Sequence, residues 1–197
     1  MLIDIVLKSR SKRRFDGNTA VSVEMMEHLV ELARICPSSR NQQALKFMIV
    51  NKPDQCEKLF SCLAWAGYLK DWDGPIAEER PTAYLIILGD TRVGSKFDID
   101  LGICAQTILL GAAEKDLGGC MISSINRDEL RPLFSIPDYL EILLVLAIGK
   151  PVEKVVIEPV KYGDIRYWRD QNQVHHVPKR SLSDILIMPD LLKSIIL

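Results

Sequence analysis

The sequence predicts a single sheet covered by helices, of the α+β or α/β class, and two observations carry that prediction. Short apolar runs of strand length alternate with longer stretches in which apolar residues recur at helical spacing. Turn-forming residues separate them at Asp16-Gly17-Asn18, Asn51-Lys52-Pro53, Leu117-Gly118-Gly119 and Gly149-Lys150-Pro151. A chain of 197 residues suits one domain, or one domain with an extended tail. Its 48% apolar and 26% charged residues are an ordinary globular mixture that can bury a full core.

Residues 2–8 form a short helix in this reading. Ser22 can cap a second helix starting at Val23, with Glu24 in its first turn. Met26, Leu29, Val30 and Ala33 then fall on one face, and Pro37 ends the helix. Residues 47–50 read as a strand, 54–64 as a helix and 83–88 as a buried strand. Between them, residues 65–80 mix aromatics, charges, Gly and Pro and are expected to form a covering segment. Residues 100–116 are apolar nearly all round and rich in small side chains, so they are expected in a core or a dimer contact. Residues 120–123 and 141–148 are strand candidates, with a short helix over 127–133. From 152 to 180 the chain is polar, aromatic and almost aperiodic. Such a segment is expected to wrap a partner surface rather than hang free.

Several function classes fall away on composition. A net charge of −1 gives the whole chain no bias toward nucleic acid or membrane. Five cysteines with no Cys-x-x-Cys pair argue against a disulfide framework or a zinc site and for reduced thiols. The first residues make a poor signal peptide, and no apolar run is long enough to cross a bilayer. The expectation is a soluble cytoplasmic protein without a nucleic-acid or membrane partner. No dinucleotide fingerprint, phosphate loop, nucleophile elbow or zinc-protease motif is present. Cys104 and Cys120 lie in apolar context and read as core. If the protein is an enzyme, a cofactor carries the chemistry.

Four segments could bear that chemistry. In Lys8-Ser9-Arg10-Ser11-Lys12-Arg13-Arg14, five of seven residues are cationic. Arg forks and Ser hydroxyls suit a phosphate, but a solvated basic turn or a nucleic-acid contact has the same composition. Cys36-Pro37-Ser38-Ser39-Arg40-Asn41-Gln42-Gln43 is dense in donors and acceptors that could read the edge of a heterocycle; it is equally an ordinary polar loop. The paired glycines of Leu117-Gly118-Gly119-Cys120-Met121-Ile122-Ser123-Ser124 would let backbone approach something flat, or simply end a helix. His175-His176-Val177-Pro178-Lys179-Arg180-Ser181 adds a second basic pair. Its adjacent histidines face opposite ways in a strand, which argues against a metal site.

Together these segments resemble the nitroreductase family. The opening motif matches Ser9-Arg10-Ser11-Lys12-Arg13-Arg14-Phe15, and the Pro-Ser-x-x-Asn-x-Gln motif matches Pro37 to Gln43 ahead of Phe47-Met48-Ile49-Val50. The long apolar helix with an acid near its start and glycines at its end matches the stretch from Asp100 to Gly119, and the tail's basic pair matches Lys179 and Arg180. Ser9 stands where the family has Arg, and Gln43-Ala44-Leu45 where it often has Gln-Pro-Trp.

The resemblance implies an α+β fold with a single, mostly antiparallel sheet sandwiched by helices. Residues 1–197 would form one FMN-binding domain whose tail, 152–197, wraps the partner of a homodimer. It further implies that Arg10, Ser11 and Arg13, with Lys179 or Arg180, hold the FMN phosphate and ribityl chain. Pro37, Ser38, Ser39 and Asn41 would come from the other subunit, and Ile122 and Ser123 would line the ring. Arg13 is the candidate cation near the N1–C2 edge. NADH or NADPH would reduce the flavin, which would pass hydride through N5 to a small acceptor such as a nitroaromatic or a quinone, in ping-pong order. No catalytic side chain and no metal are expected. The alternative is an FMN carrier or sensor without significant turnover. Trp65, Trp72 and Trp168 could be pocket walls or plain packing.

Overall fold

The structure, a computed structural model, describes residues 1–188. The last nine residues of the expected tail, 189–197, lie outside the described residues. The described chain divides into two compact units, one of residues 1–67 and 71–153, the other of residues 68–70 and 154–188.

The first unit runs α1 (Leu2–Lys8), α2 (Val23–Arg34), β1 (Leu45–Val50), α3 (Pro53–Ser61), β2 (Ala83–Asp90), α4 (Asp98–Glu114), β3 (Gly118–Ile122), α5 (Arg127–Leu133) and β4 (Leu140–Gly149). Its four strands form one antiparallel sheet in the order β1-β2-β4-β3. Period-two alternation sorts the central strands' side chains between two cores. Tyr84, Ile86 and Leu88 face α3 and α5 with Leu59, Trp65 and Leu130. Ala83, Leu85 and Ile87 face α2 and α4 with Met26, Leu29, Ala105 and Ile108. Between Ile87 and Leu88 the pairing to β4 slips by one residue, from Leu144 to Ile142. That bulge lets Ile142 and Val145 share one face despite opposite parity. The sheet is thus sandwiched by helices, as expected.

The helix signals hold. Ser22 Oγ accepts from the Met25 N–H at 3.2 Å and caps α2, whose Met26, Leu29 and Ala33 are buried. On α4 the small residues serve close packing: a side chain at Gly111 would collide with Leu32 of α2. The helix is not buried all round, however. Ile99 is 72% exposed, Gly102 has open space over its Cα, and Gln106 is exposed. Trp65 is buried core with its ring tilted against Phe60 at 5.6 Å, and the partly buried Trp72 packs against the same core.

The second unit is more regular than its sequence suggests. It contains β5 (Val155–Pro159), β6 (Trp168–Arg169), β7 (His175–Lys179) and α6 (Leu182–Ile185). β7 pairs parallel to β5 and antiparallel to β6. His176 knits this sheet: Nδ1 lies 2.9 Å from Glu158 Oε1, Nε2 lies 3.2 Å from Asp170 Oδ2, and the ring stacks on Trp168 at 4.8 Å. Carboxylate partners, not apolar periodicity, hold the strand in register.

Two predictions follow from the packing. A side chain at Gly119 would overlap the Ala147 carbonyl oxygen of the neighbouring strand and lie 2.9 Å from Leu109 Cδ2. Backbone cannot yield as a side chain can, so Gly119→Ala is expected to cost about 3 kcal/mol in denaturant unfolding. The bond to Glu158, with Asp170 adding to it, raises the His176 pKa above its ordinary value. A raised folded-state pKa stabilises the fold fully below the unfolded value of about 6.5, and the gain disappears as pH rises through the folded value. The stability difference between the wild type and His176→Gln is therefore expected to be largest near pH 6 and to shrink toward pH 9. Its NMR titration midpoint should lie above 6.5 and fall in Glu158→Gln.

Candidate functional site

The first candidate segment leaves the C-terminal end of α1 and runs along the free edge of β3. Ser11 bridges to Gly119, and the Lys12 N–H donates to the Gly119 carbonyl at 2.9 Å. Further on, the Asp16 N–H donates to the Lys150 carbonyl at 2.8 Å, and the Val152 N–H donates to that of Arg14 at 3.1 Å. Phe15 is fully buried against Gly149 and pins the segment down. Gly118 allows this approach. A Cβ at Gly118 would come within 3.0 Å of Lys12 Cγ.

The basic run is not a solvated patch, because its cations have contacts. Lys8 pairs with Asp116 at 2.5 Å, and Arg14 makes a two-pronged bond to Glu79 at 2.5 Å, which raises its pKa further. Arg10 turns back onto α1, with Nε donating to the Ser9 carbonyl at 2.8 Å and Nη2 to that of Val6 at 2.7 Å. Buried Glu153 accepts from the backbone N–H of Arg13, and its carbonyl accepts from Lys12 Nζ at 3.1 Å. Burial lowers the Lys12 pKa, Glu153 opposes that shift, and Arg10 adds to it. The outward-facing group is the exposed Ser11, flanked by half-buried Arg10 and Arg13.

The second candidate segment is the loop between α2 and β1. Arg40, Asn41 and Gln43 have φ of 53°, 55° and 53°, the left-handed region that non-glycine residues seldom occupy. Strain of this kind persists only where surrounding contacts impose it. Asp100, in the first turn of α4 and 7% exposed, imposes it here. Its Oδ2 accepts from Ser38 Oγ at 2.6 Å and its Oδ1 from the Ser39 N–H at 2.8 Å. Ser38 Oγ in turn accepts from the Gln43 N–H at 2.9 Å and closes the loop. Pro37, Ser39 and Asn41 face outward on it. Beneath it lies a cavity of 270 Å³ lined by Val30, Cys36, Ser38, Phe47, Asp100 and Cys104.

Within one chain these two segments are held apart. Ser9 Oγ meets the Leu109 carbonyl at 3.3 Å near one end of α4, whereas Ser38 meets Asp100 near the other. Nine residues of helix separate the anchors by roughly 14 Å. The sheet gives the same answer. Gly119 pairs with Ile148, which pairs with Ala83, while Leu45, next to the loop, pairs with Gly89. Six residues of strand amount to roughly 20 Å.

The remaining candidates are placed as follows. Ile122 is 6% exposed with its side chain in the core, and Ser123 is exposed just beyond β3. Lys179 and Arg180 are exposed at the end of β7, in the second unit. Trp168 stacks on His176 in that unit. Among the described residues, no group of three or more His, Cys, Asp or Glu could hold a metal ion, and no helix is long and apolar enough to cross a membrane. Sequence reasoning gave the supporting acids no role. Asp100 left a signal, an acid near the start of a largely apolar helix; Glu153 and Glu79 left none, since each sits in an ordinary polar stretch.

The fold defines an α+β domain with one antiparallel sheet between two helical layers. The family model described as the nitroreductase family matches residues 6–150, and the chain belongs to that family. A protein of Archaeoglobus fulgidus provisionally named NADH dehydrogenase/NAD(P)H nitroreductase is 22% identical over 158 residues, covering 76% of this chain and 85% of that protein. The crystal structure of a nitroreductase family protein from Clostridium difficile 630 superposes with a TM-score of 0.67 at 21% identity, covering 95% of this chain and 97% of that one. An FMN-dependent nitroreductase from Clostridium difficile R20291 superposes with a TM-score of 0.63 at 20% identity, covering 77% and 88%.

Removing the Asp100 carboxylate leaves the Ser38 hydroxyl and the Ser39 N–H without their acceptor. Asp100→Ala is expected to cost about 2–3 kcal/mol and Ser38→Ala about 1 kcal/mol. The double variant should cost little more than Asp100→Ala alone, because both act through one network. Denaturant unfolding of the four proteins measures this directly. Additive losses would separate Asp100 from the loop.

Proposed function

We propose that this chain is a flavin-dependent oxidoreductase that holds FMN in a cradle shared by two copies and passes reducing equivalents from NADH or NADPH to a small oxidised acceptor. The observation that carries this reading is the split of the candidate site between the two ends of α4. A cationic, glycine-flanked edge at one end and a strained polar loop at the other suit one ligand with an anionic tail and a heterocyclic head. Two copies would set the cationic edge of one against the loop of the other.

The residues present fit such a group. Ser11 and Arg13, with Arg10 released from α1, would hold the phosphate and ribityl chain, joined by Lys179 or Arg180. Pro37, Ser38, Ser39 and Asn41 of a second copy would complete the cradle, and the main chain at Ile122 and Ser123 would run beside the ring. Arg13 would favour negative charge at the ring's N1–C2 edge. When bound, FMN supplies a ring atom that takes hydride from a nicotinamide and gives it to an acceptor. The chain's own work is to position both partners in turn and exclude water, so no catalytic side chain is assigned. The exposed stripe of Ile99, Gly102 and Gln106 on α4 supports pairing of two copies through this helix.

The purified protein is expected to be yellow, with about one FMN per chain released on denaturation, and to oxidise NADH or NADPH when a quinone or nitroaromatic is added. Arg13→Ala should weaken FMN binding at least about tenfold, the effect of losing one charged hydrogen bond. Gly102→Arg, on the free face of α4, should give monomers that retain little flavin. A colourless protein that takes up no added FMN refutes the proposal. A fully loaded protein with no turnover on any acceptor identifies a carrier or sensor instead.

A further inference from the structure

Two of the five free cysteines meet across the α2–α4 contact, directly behind the strained loop. Cys36 follows the last turn of α2 and immediately precedes Pro37. Its Sγ lies 3.2 Å from Thr107 Oγ1 on α4 and 3.3 Å from the Leu32 carbonyl. Cys104 lies on α4, three residues before Thr107. Its Sγ reaches the opposite way, to the Ala33 carbonyl of α2, at 3.6 Å. Each thiol therefore touches the other's helix. Residues three apart on a helix have Cβ atoms about 5–6 Å apart, so a sulfur in contact with Thr107 is within a side-chain rotation of Cys104. Both thiols line the 270 Å³ cavity under the loop, and the half-buried Cys36 is the more accessible of the two.

We propose that Cys36 and Cys104 are a peroxide-sensitive dithiol that closes to a disulfide and ties the end of α2 to α4. The two thiols differ in a way that fixes their order of reaction. Cys104 is 7% exposed, and burial pushes its pKa up to about 11, with the neighbouring Cys36 thiol and Asp100 adding to the shift. Cys36 is only half-buried and is the thiol that hydrogen peroxide reaches. Its thiolate attacks one peroxide oxygen, the O–O bond breaks, and Cys36 sulfenic acid and water are formed once a proton is taken up. The Cys104 sulfur then attacks the Cys36 sulfur. The sulfenic oxygen leaves as water with the Cys104 proton. In sum, two thiols and one peroxide give one disulfide and two waters, with the thiols oxidised and the peroxide reduced.

The link would act where Asp100 acts. Cys104 is one helical turn beyond Asp100, and Cys36 is two residues before Ser38, so the disulfide would brace the loop covalently at the same helix junction. The chemistry of the pair stands on the two sulfurs and is independent of flavin binding.

The test is treatment of the purified full-length protein with hydrogen peroxide, followed by thiol counting and mass spectrometry of proteolytic peptides. The expected result is loss of two of the five thiols, a mass decrease of about 2 Da and a Cys36–Cys104 linked peptide that dithiothreitol separates. In Cys104→Ala, Cys36 should instead accumulate as a sulfenic acid that dimedone traps, and in Cys36→Ala neither product should form. Oxygen added to Cys36 of the wild type without linkage, a disulfide between two copies, or five thiols left intact would each overturn the proposal.

Discussion

Everything in the first unit is arranged around the rigidity of α4. One side of this helix fills the core between the sheet and α2, and Gly111 brings Leu29 and Leu32 against its backbone. Its first turn carries the carboxylate that shapes the 37–43 loop, and its last turns receive Ser9, while Asp116 just beyond receives Lys8. A helix holds its two ends at a set distance because each residue adds a fixed rise. The separation of the two candidate segments is therefore a property of the core and not of the loops themselves. The exposed stripe lies between those ends, so in the proposed pairing the same helix sets both the spacing of the half-sites and the surface that brings two copies together.

Buried charge in this protein is spent on irregular backbone. Asp90 is 2% exposed and binds Arg92 through both carboxylate oxygens, which holds its carboxyl at about 2 and fixes the turn after β2; Arg92 in turn lies 3.6 Å over the Tyr139 ring. Asp100 holds the loop before β1, and Glu153 holds the segment beside β3. A carboxylate accepts several hydrogen bonds from diverging directions, so it can satisfy N–H and hydroxyl groups where neither helix nor sheet provides partners. Desolvating it is costly, and that cost is recovered only when its lone pairs are used. These three acids accordingly sit at the places where the chain leaves regular structure.

That division explains what was legible in the sequence. The elements with apolar periodicity were: α2 starts at the residue after its Ser22 cap, α5 has the expected bounds, and β2 and β4 differ from expectation only at their ends. The strands β5 and β7 were not, because their register rests on His176 between Glu158 and Asp170, a long-range arrangement that leaves no pattern along the chain. The loop before β1 was found as a polar segment, but its left-handed residues are Arg, Asn and Gln rather than glycine, so composition does not announce the strain. The basic run was found too, yet its pairing with Glu79, Asp116 and Glu153 joins residues far apart in sequence and turned an apparent charged surface into laced structure.

The two candidate segments are chemically unlike, and that difference has a thermodynamic consequence. The edge beside β3 is cationic and built on close backbone contact, whereas the loop is polar, strained and held from behind. In the proposed pairing, a ligand that uses both would gain its full contact energy when two copies supply opposite halves. Ligand binding and pairing are then linked, since whatever binds the paired form alone stabilises it by mass action. The cost of ordering the loop is already met by Asp100 and Ser38 before any ligand arrives, which leaves more of the contact energy to appear as affinity. In the proposed pairing, strain fixed in advance at one end of a rigid helix and charge fixed at the other would each supply half of a site that two copies complete.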